Sequence, residues 1–273
     1  MSRIDPLLER YDAFLIDQFG TLHDGVAPYQ GAIDALKKMR AAGCIVGLLS
    51  NSGRSTQANA KRLAGLGFGP ETYDFLLTSG ELAAQMAAEH RLRTVQGACG
   101  CLLLERPGDE TIIDRFGLES VGPEAAELII IAGSEGDRFS PAHYEQLLSP
   151  LARRGVPALC LNPDRIMLTP SGFAFGAGQI AETYAAMGGE VTWIGKPYPE
   201  LYQAALKMLG DPDPCRVAGI GDSLEHDIAG ASGAGCEGWL VRTGIIEGWS
   251  DAAIAAESAR WNAVPVGLLE SLI

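Results

Sequence analysis

Short, nearly continuous apolar runs alternate with amphipathic stretches along most of the chain. The runs are Ala13–Asp17, Cys44–Ser50, Cys101–Glu105, Leu128–Ala132, Val156–Leu161, Val191–Gly195, Val217–Gly221 and Gly238–Val241. Runs that are apolar at nearly every position suit strands covered on both faces of a parallel sheet. The stretches between them carry the helical period. Ala32–Ala42 sets Ile33, Leu36 and Met39 on one face, and Tyr198–Leu209 sets Leu201, Ala205 and Met208 on one stripe. Ser140–Arg153 opens on a Ser-Pro pair suited to a helix cap and first turn. Strands and helices in alternation, joined by right-handed crossovers, predict an α/β fold.

Polar residues able to do chemistry are unevenly spread. They fall at 17–24, 50–52 and 196–227, whereas 85–180 has strands and helices of its own and no comparable cluster. The economical organisation is a core built from 1–80 and 181–273, interrupted by an inserted α/β domain over 81–180. No internal repeat or low-complexity tract is present.

Four segments carry the chemistry. FLIDQFGTLHDG (14–25) is an apolar strand ending in Asp17, with Gly20 and Thr21 in the turn that follows. An acid at the carboxyl end of a parallel strand faces the crevice where open α/β sheets bind ligands. IVGLLSNSGRS (45–55) ends a second strand in Ser50-Asn51-Ser52, where hydroxyls, an amide and backbone N–H groups at a helix start form an anion cradle. WIGKPYPELY (193–202) places Lys196 between a strand and a helix, as a cation able to screen a carboxylate from a phosphate. VAGIGDSLEHDIAGA (217–231) runs a strand into Asp222, with Asp227 following. Two acids aimed at one crevice repel unless a cation lies between them, and a hard, oxygen-liganded ion such as Mg²⁺ fits. Each segment alone has a bland reading, as a turn, a helix cap or a surface lysine.

Together and in this order, the four resemble the signature of the haloacid dehalogenase superfamily. The segment LNPDRIMLTPSGFAFGAGQI (161–180), leading into WIGKP, resembles the class IIA branch, which includes nitrophenylphosphatase-like and sugar- or nucleotide-phosphate phosphatases. That resemblance implies a Rossmann-like, doubly wound core with an inserted α/β cap. It also implies that Asp17 is the nucleophile accepting a phosphoryl group, that Ser50 and Asn51 bind phosphate, and that Lys196 neutralises charge. Mg²⁺ would be held by Asp17, Asp222 and the backbone carbonyl of Phe19, with Asp227 supporting it directly or through water. The substrate would be a small phosphorylated metabolite; Asn162, Asp164 and Phe175 are expected to face it, although Asn162-Pro163-Asp164 also reads as a plain turn. The resemblance further suggests a homodimer formed through the caps.

One position departs from the pattern. Phosphatases of this superfamily usually carry a second aspartate two residues after the nucleophile, which protonates the leaving oxygen and later activates water. Here Phe19 stands there. A missing general acid–base typically costs roughly 10²–10⁴ in rate. Three readings follow: a phosphatase in which His23 or Asp24 substitutes or the leaving group needs little protonation; a protein that binds a phosphorylated metabolite with little turnover; and, third in rank, a carbon–halogen hydrolase on the same nucleophile.

Charge and cysteines narrow the setting. A net charge of −13 opposes nucleic acid and anionic membranes, and it requires any phosphate site to gather positive charge locally. No apolar run reaches membrane-spanning length, and the first residues show no leader or anchor pattern. The cysteines form no CxxC pair and read as small buried residues in a reducing cytoplasm.

Overall fold

The computed structural model describes residues 4–107, 112–169 and 172–272; Pro170 and Ser171 of the segment 161–180 therefore lie outside the described residues. In chain order the strands are β1 (Ala13–Asp17), β2 (Ile45–Ser50), β3 (Phe75–Thr78), β4 (Gly100–Leu104), β5 (Glu119–Ser120), β6 (Leu128–Ile131), β7 (Ala158–Cys160), β8 (Ile166–Thr169), β9 (Gly172–Phe175), β10 (Val191–Trp193), β11 (Val217–Gly221), β12 (Glu237–Val241) and β13 (Gly267–Leu269). The helices are α1 (Asp5–Arg10), α2 (Ala32–Ala41), α3 (Thr56–Gly65), α4 (Ser79–Ala88), α5 (Pro141–Arg154), α6 (Ala177–Ala186), α7 (Pro199–Met208), α8 (Ala229–Gly233) and α9 (Asp251–Trp261).

The chain divides into two units, one of residues 1–50, 60–77 and 196–273, the other of residues 51–59 and 78–195. The first unit holds a sheet in the order β13-β12-β11-β1-β2-β3. β1 pairs in parallel with β11 and β2, β11 with β12, and β12 with β13. Phe14, Leu15 and Ile16 are buried throughout because both faces of the sheet are covered, which is why the run is continuous rather than alternating. On one face lies a cluster that includes Phe14, Ile16, Leu36, Met39, Leu48 and Phe68. The second unit holds a parallel sheet in the order β10-β7-β6-β4-β5 and an antiparallel β8–β9 hairpin. Its core joins Ile129, Ile131, Leu148 and Leu151 to Ile180, Ala181 and Tyr184 of α6. The α/β class and the parallel sheets agree with the sequence pattern.

Residues 181–195 depart from it. They were expected in the core, yet they lie in the second unit, because α6 packs through Ile180, Ala181 and Tyr184 and β10 pairs with β7. The apolar run Val191–Gly195 is a strand, but of the other sheet, and Lys196 is the first residue after the chain returns to the first unit. Residues 51–59 and 78–80 also belong to the second unit. Met208 is a further correction. The buried residues of α7 are Leu201, Tyr202 and Ala205; Met208 lies within about 20° of Leu201 around the helix, but it is the last helical residue and is 50% exposed. Of the cysteines, Cys44, Cys101, Cys160 and Cys236 are buried as expected; Cys99 and Cys215 are exposed, one just ahead of β4 and the other in the turn before β11.

Tyr202 fills a slot that depends on a missing side chain. A Cβ on Gly230 of α8 would stand 2.4 Å from its Cε2 and 3.3 Å from Pro197 Cα. Tyr202 is fully buried and its hydroxyl donates to the main-chain oxygen of Asp227 at 3.0 Å, so the ring has no room to yield. Gly230→Ala is therefore expected to destabilise the protein by about 1–3 kcal/mol, the usual range for overpacking a tight core. Urea unfolding checks this, and an unchanged midpoint would mean that the slot is loose.

Candidate functional site

The first sheet changes winding direction at β1. The chain leaves β1 for β2 on one side, while β11, β12 and β13 add on the other. Ligands of open α/β sheets bind outside the carboxyl ends of the strands at such a switch point. Asp17 is the last residue of β1, and Ile16 pairs with Ile220, so Asp222 emerges from β11 one step beyond Asp17. Ser50 ends β2 one residue past Leu49, the partner of Asp17. The topology thus delivers three of the sequence-predicted groups to one crest.

Asp227 arrives by a tight local fold. Ser223 opens a π-helical turn over Leu224–Ile228; its hydroxyl accepts from His226 N–H at 3.1 Å, and its N–H donates to Asp227 Oδ2 at 3.0 Å. A Cβ on Gly221 would stand 2.0 Å from Asp227 Cγ, so only glycine lets that side chain lie against the strand end. Lys196 Nζ then donates to Asp17 Oδ1 at 2.5 Å and to Asp227 Oδ1 at 2.6 Å, with its side chain only 3% exposed. Oxygens of Asp17, Asp222 and Asp227 all lie within 4.8 Å of one another. Three carboxyl groups facing one ammonium put acid in excess of base in a buried set of oxygen donors, a set suited to a hard divalent cation.

The loop after Asp17 explains where Phe19 goes. It folds back on itself, with Leu22 and His23 N–H donating to Gln18 O and Gly20 N–H donating to His23 O. The Phe19 ring meets His23 edge to face, centroids 5.5 Å apart, and a Cβ on Gly25 would stand 2.7 Å from its Cε2. Phe19 is thus part of the packing of this flap. His23 is not a surface residue: it is buried, its Nδ1 accepts from Gly25 N–H at 3.1 Å, and burial, with the nearby Arg62, lowers its pKa to about 4. Asp24 is exposed and caps the turn, its Oδ1 accepting from Ala27 and Val26 N–H, which hold its carboxyl below the usual range. A neutral imidazole and a turn-capping carboxylate are both poorly suited to donating a proton near pH 7.

The remaining sequence-predicted residues lie in the second unit. Asn51 donates through Nδ2 to Asp164 Oδ1 at 2.8 Å, and Asp164 N–H donates to Asn162 Oδ1 at 3.1 Å, the geometry of an Asx turn. Phe175 packs edge to face on Tyr144, centroids 5.7 Å apart, against the core of that unit.

Sequence reasoning missed one segment. The loop after β12 brings Thr243, Gly244 and Ile245 to the cluster: Ile245 N–H donates to Asp222 Oδ2 at 2.7 Å, and Thr243 Oγ1 donates to Gly20 O at 2.6 Å. The signal was present, since the apolar run Gly238–Val241 ends on the same crest, and Thr-Gly follows it after one residue.

The chain matches known proteins along most of its length. A family model described as haloacid dehalogenase-like hydrolase matches residues 14–119, and one described as HAD-hydrolase-like matches residues 193–268. The chain is 30% identical over 237 residues to haloacid dehalogenase-like hydrolase domain-containing protein 2 of Bos taurus, spanning 85% of this chain and 84% of that protein. It is similar to the crystal structure of a haloacid dehalogenase-like hydrolase from Brucella suis 1330, with a TM-score of 0.86, 27% identity and 100% coverage of both chains. It is also similar to a glycerol phosphate phosphatase from Mycobacterium tuberculosis in complex with magnesium, with a TM-score of 0.72 and 25% identity, covering 100% of this chain and 78% of that one.

Burial, with Asp17 and Asp227 nearby, pushes the Asp222 carboxyl well above the usual range; burial also raises Asp227, against the opposing pull of Lys196. In the metal-free protein the folded state therefore keeps a proton on Asp222 at pH values where the unfolded chain has released it. Stability from this group is present at low pH and declines as pH rises from about 4 through the folded value. Asp222→Asn removes that decline. In chelator, its melting midpoint should gain on wild type between pH 5 and pH 8, by about 2–4 °C for each kcal/mol of repulsion relieved. Parallel curves would mean that Asp222 ionises as an ordinary carboxyl.

Proposed function

This chain belongs to the haloacid dehalogenase-like hydrolases, as a phosphatase-like member, and on that premise we propose that it is a Mg²⁺-dependent phosphatase of small phosphate monoesters, biased toward good leaving groups. The observation that carries the reading is the buried charge pattern of Asp17, Asp222 and Asp227 around Lys196. Asp17, Asp222 and the Phe19 carbonyl would hold the cation, with Asp227 outside them. Both Asp227 oxygens already accept hydrogen bonds, from Lys196 and from Ser223 N–H. A bound Mg²⁺ would supply Lewis-acid neutralisation of the phosphoryl oxygens.

The protein's own groups do the rest. Asp17 attacks phosphorus through a carboxylate oxygen; the bond from phosphorus to the leaving oxygen breaks, and an aspartyl phosphate forms. Lys196, held at Asp17, keeps the attacking carboxylate ionised and offsets charge on the phosphoryl group. Ser50, on the adjoining strand end, would hydrogen-bond that group. Water then attacks phosphorus, releasing inorganic phosphate and restoring Asp17. Glycerol phosphate, the substrate class in the name of the mycobacterial relative, is a guide to size alone, since as an alkyl phosphate it has the kind of leaving group that this site would handle slowly.

Phe19 supports a bias in the chemistry. The leaving oxygen finds no carboxyl at that position, and His23 and Asp24 are both engaged in building the flap. Aryl and acyl phosphates, whose leaving groups are stable as anions, need that proton least. The same observation favours a second reading, a phosphometabolite-binding protein with little turnover. A carbon–halogen hydrolase would not need the carboxylate cluster.

Asp17→Asn should abolish turnover in a folded protein, because only the nucleophile is lost; activity near wild type would rule out the aspartyl phosphate. Wild-type rates across alkyl, aryl and acyl phosphates should fall steeply with rising leaving-group pKa. Phe19→Asp should flatten that slope and speed alkyl phosphates by roughly 10-fold or more, provided a melting curve shows that the flap tolerates loss of the ring. Alkyl phosphates turned over as fast as aryl ones by the wild type would show an acid elsewhere. Mg²⁺ binding without turnover of any phosphate would select the binding reading.

A further inference from the structure

We infer that the loop after β12, through Thr243 and Gly244, is a positioning element for the cation site, fixing at once the Asp222 carboxylate and the backbone around Gly20. The inference rests on the reading that Asp17, Asp222 and the Phe19 carbonyl hold Mg²⁺.

Three observations converge on this loop. First, Asp222 is pinched between two glycines. A Cβ on Gly20 would stand 2.1 Å from Asp222 Oδ2, and one on Gly244 would stand 1.9 Å from the same atom and 2.5 Å from Gly20 Cα. Both glycines have positive φ, +90° and +61°, so conformation and space both exclude a side chain. Second, Ile245 N–H donates to Asp222 Oδ2 at 2.7 Å, which sets the rotation of the carboxylate and leaves Oδ1 as its oxygen for a cation. Third, the Thr243 hydroxyl donates to Gly20 O at 2.6 Å, while Gly20 N–H donates to His23 O at 2.9 Å.

The third observation reaches the Phe19 carbonyl. A trans peptide is planar, with its C=O antiparallel to the next N–H. The bond from Gly20 N–H to His23 O therefore directs the Phe19 oxygen away from His23. Thr243 clamps the following peptide through Gly20 O, so the planes on both sides of Gly20 are held. Thr243 thus acts on two of the cation's three groups without touching the cation: on the Phe19 carbonyl through Gly20, and on Asp222 through the loop it fixes.

Thr243→Val keeps the shape and removes the hydroxyl; Thr243→Ser keeps the hydroxyl. Calorimetric titration of the full chain with MgCl₂, beside melting curves in chelator, reads both consequences. Partners that orient ligands from outside the coordination sphere typically contribute 10–100-fold in affinity, so Thr243→Val should bind Mg²⁺ roughly 10-fold or more weakly and Thr243→Ser within about threefold of wild type. Gly244→Ala, which drives a methyl group into Asp222, should lose binding further, and the Val/Ser pair decides the matter even where Gly244→Ala does not fold. A merely structural threonine would lower the melting midpoint in chelator and leave Mg²⁺ affinity alone. Wild-type binding with unchanged affinity in Thr243→Val overturns this inference and spares the cation reading. No Mg²⁺ binding by the wild type overturns both.

Discussion

The ammonium of Lys196, held between Asp17 and Asp227, is the contact around which the first unit's site is organised. An ammonium this buried persists only when paired, and removing one partner of a buried pair typically costs about 3–5 kcal/mol. Lys196 therefore needs carboxylates from two different parts of the chain. One comes from the end of β1, the other from the π-helical turn after β11. The chain returns from the second unit at this lysine, and Pro199 opens α7 three residues later. Tyr202 of α7 then reaches the main-chain oxygen of Asp227, so the helix that follows Lys196 also holds the turn that pairs with it.

That pairing leaves a charge problem, and the backbone carries part of its solution. The cluster retains more acid than base, and Asp222 and Asp227 respond by holding their protons more tightly. Main-chain N–H groups from Ser223 and Ile245 oppose this, since each donates to a carboxylate oxygen and favours the ionised form. Such donors fit only where the backbone comes close. Gly20, Gly221 and Gly244 all lie where a Cβ would stand about 2 Å from a carboxylate atom of Asp222 or Asp227. The acids and the glycines are one device: the first supply charge, the second supply the approach that orients it.

Much of this was legible in the sequence. Continuous apolar runs marked the buried parallel strands, and acids at their ends marked the crest, because a strand's last residue faces the crevice whatever the neighbouring strands are. Two kinds of information were hidden. Sheet membership was one: Val191–Trp193 has the same apolar character whichever sheet it joins, so a run leading straight into Lys196 was assigned to the wrong unit. Partners made through the backbone were the other. The contributions of Thr243, Gly244 and Ile245 lie in one hydroxyl, one missing side chain and one N–H, none of which identifies its target in a linear chain. His23 shows a third limit. A histidine in the turn after Asp17 offered itself as a substitute acid, whereas the flap buries it against Phe19 and leaves it neutral.

Phe19 connects these points. An aspartate at its position would bring a fourth carboxyl to a cluster that already carries excess negative charge, and its proton would have to be held against that field. A phenyl ring there supplies no acid and packs the flap instead: it meets the His23 ring in a T-shaped contact, Gly25 lies close against it, and Asp24 caps the turn between them. A ring that packs the flap stands where the resemblance to the family places a proton-transferring acid, while the backbone carbonyl at this position is present whatever the side chain. In the proposed reaction, electrostatic stabilisation of a transferring phosphoryl group would depend on Lys196, the carboxylates and the backbone. Protonation of the departing oxygen depends on a side chain at position 19. A site that keeps the first and lacks the second discriminates among substrates by how well their leaving groups bear negative charge, more than by how well their phosphates are bound.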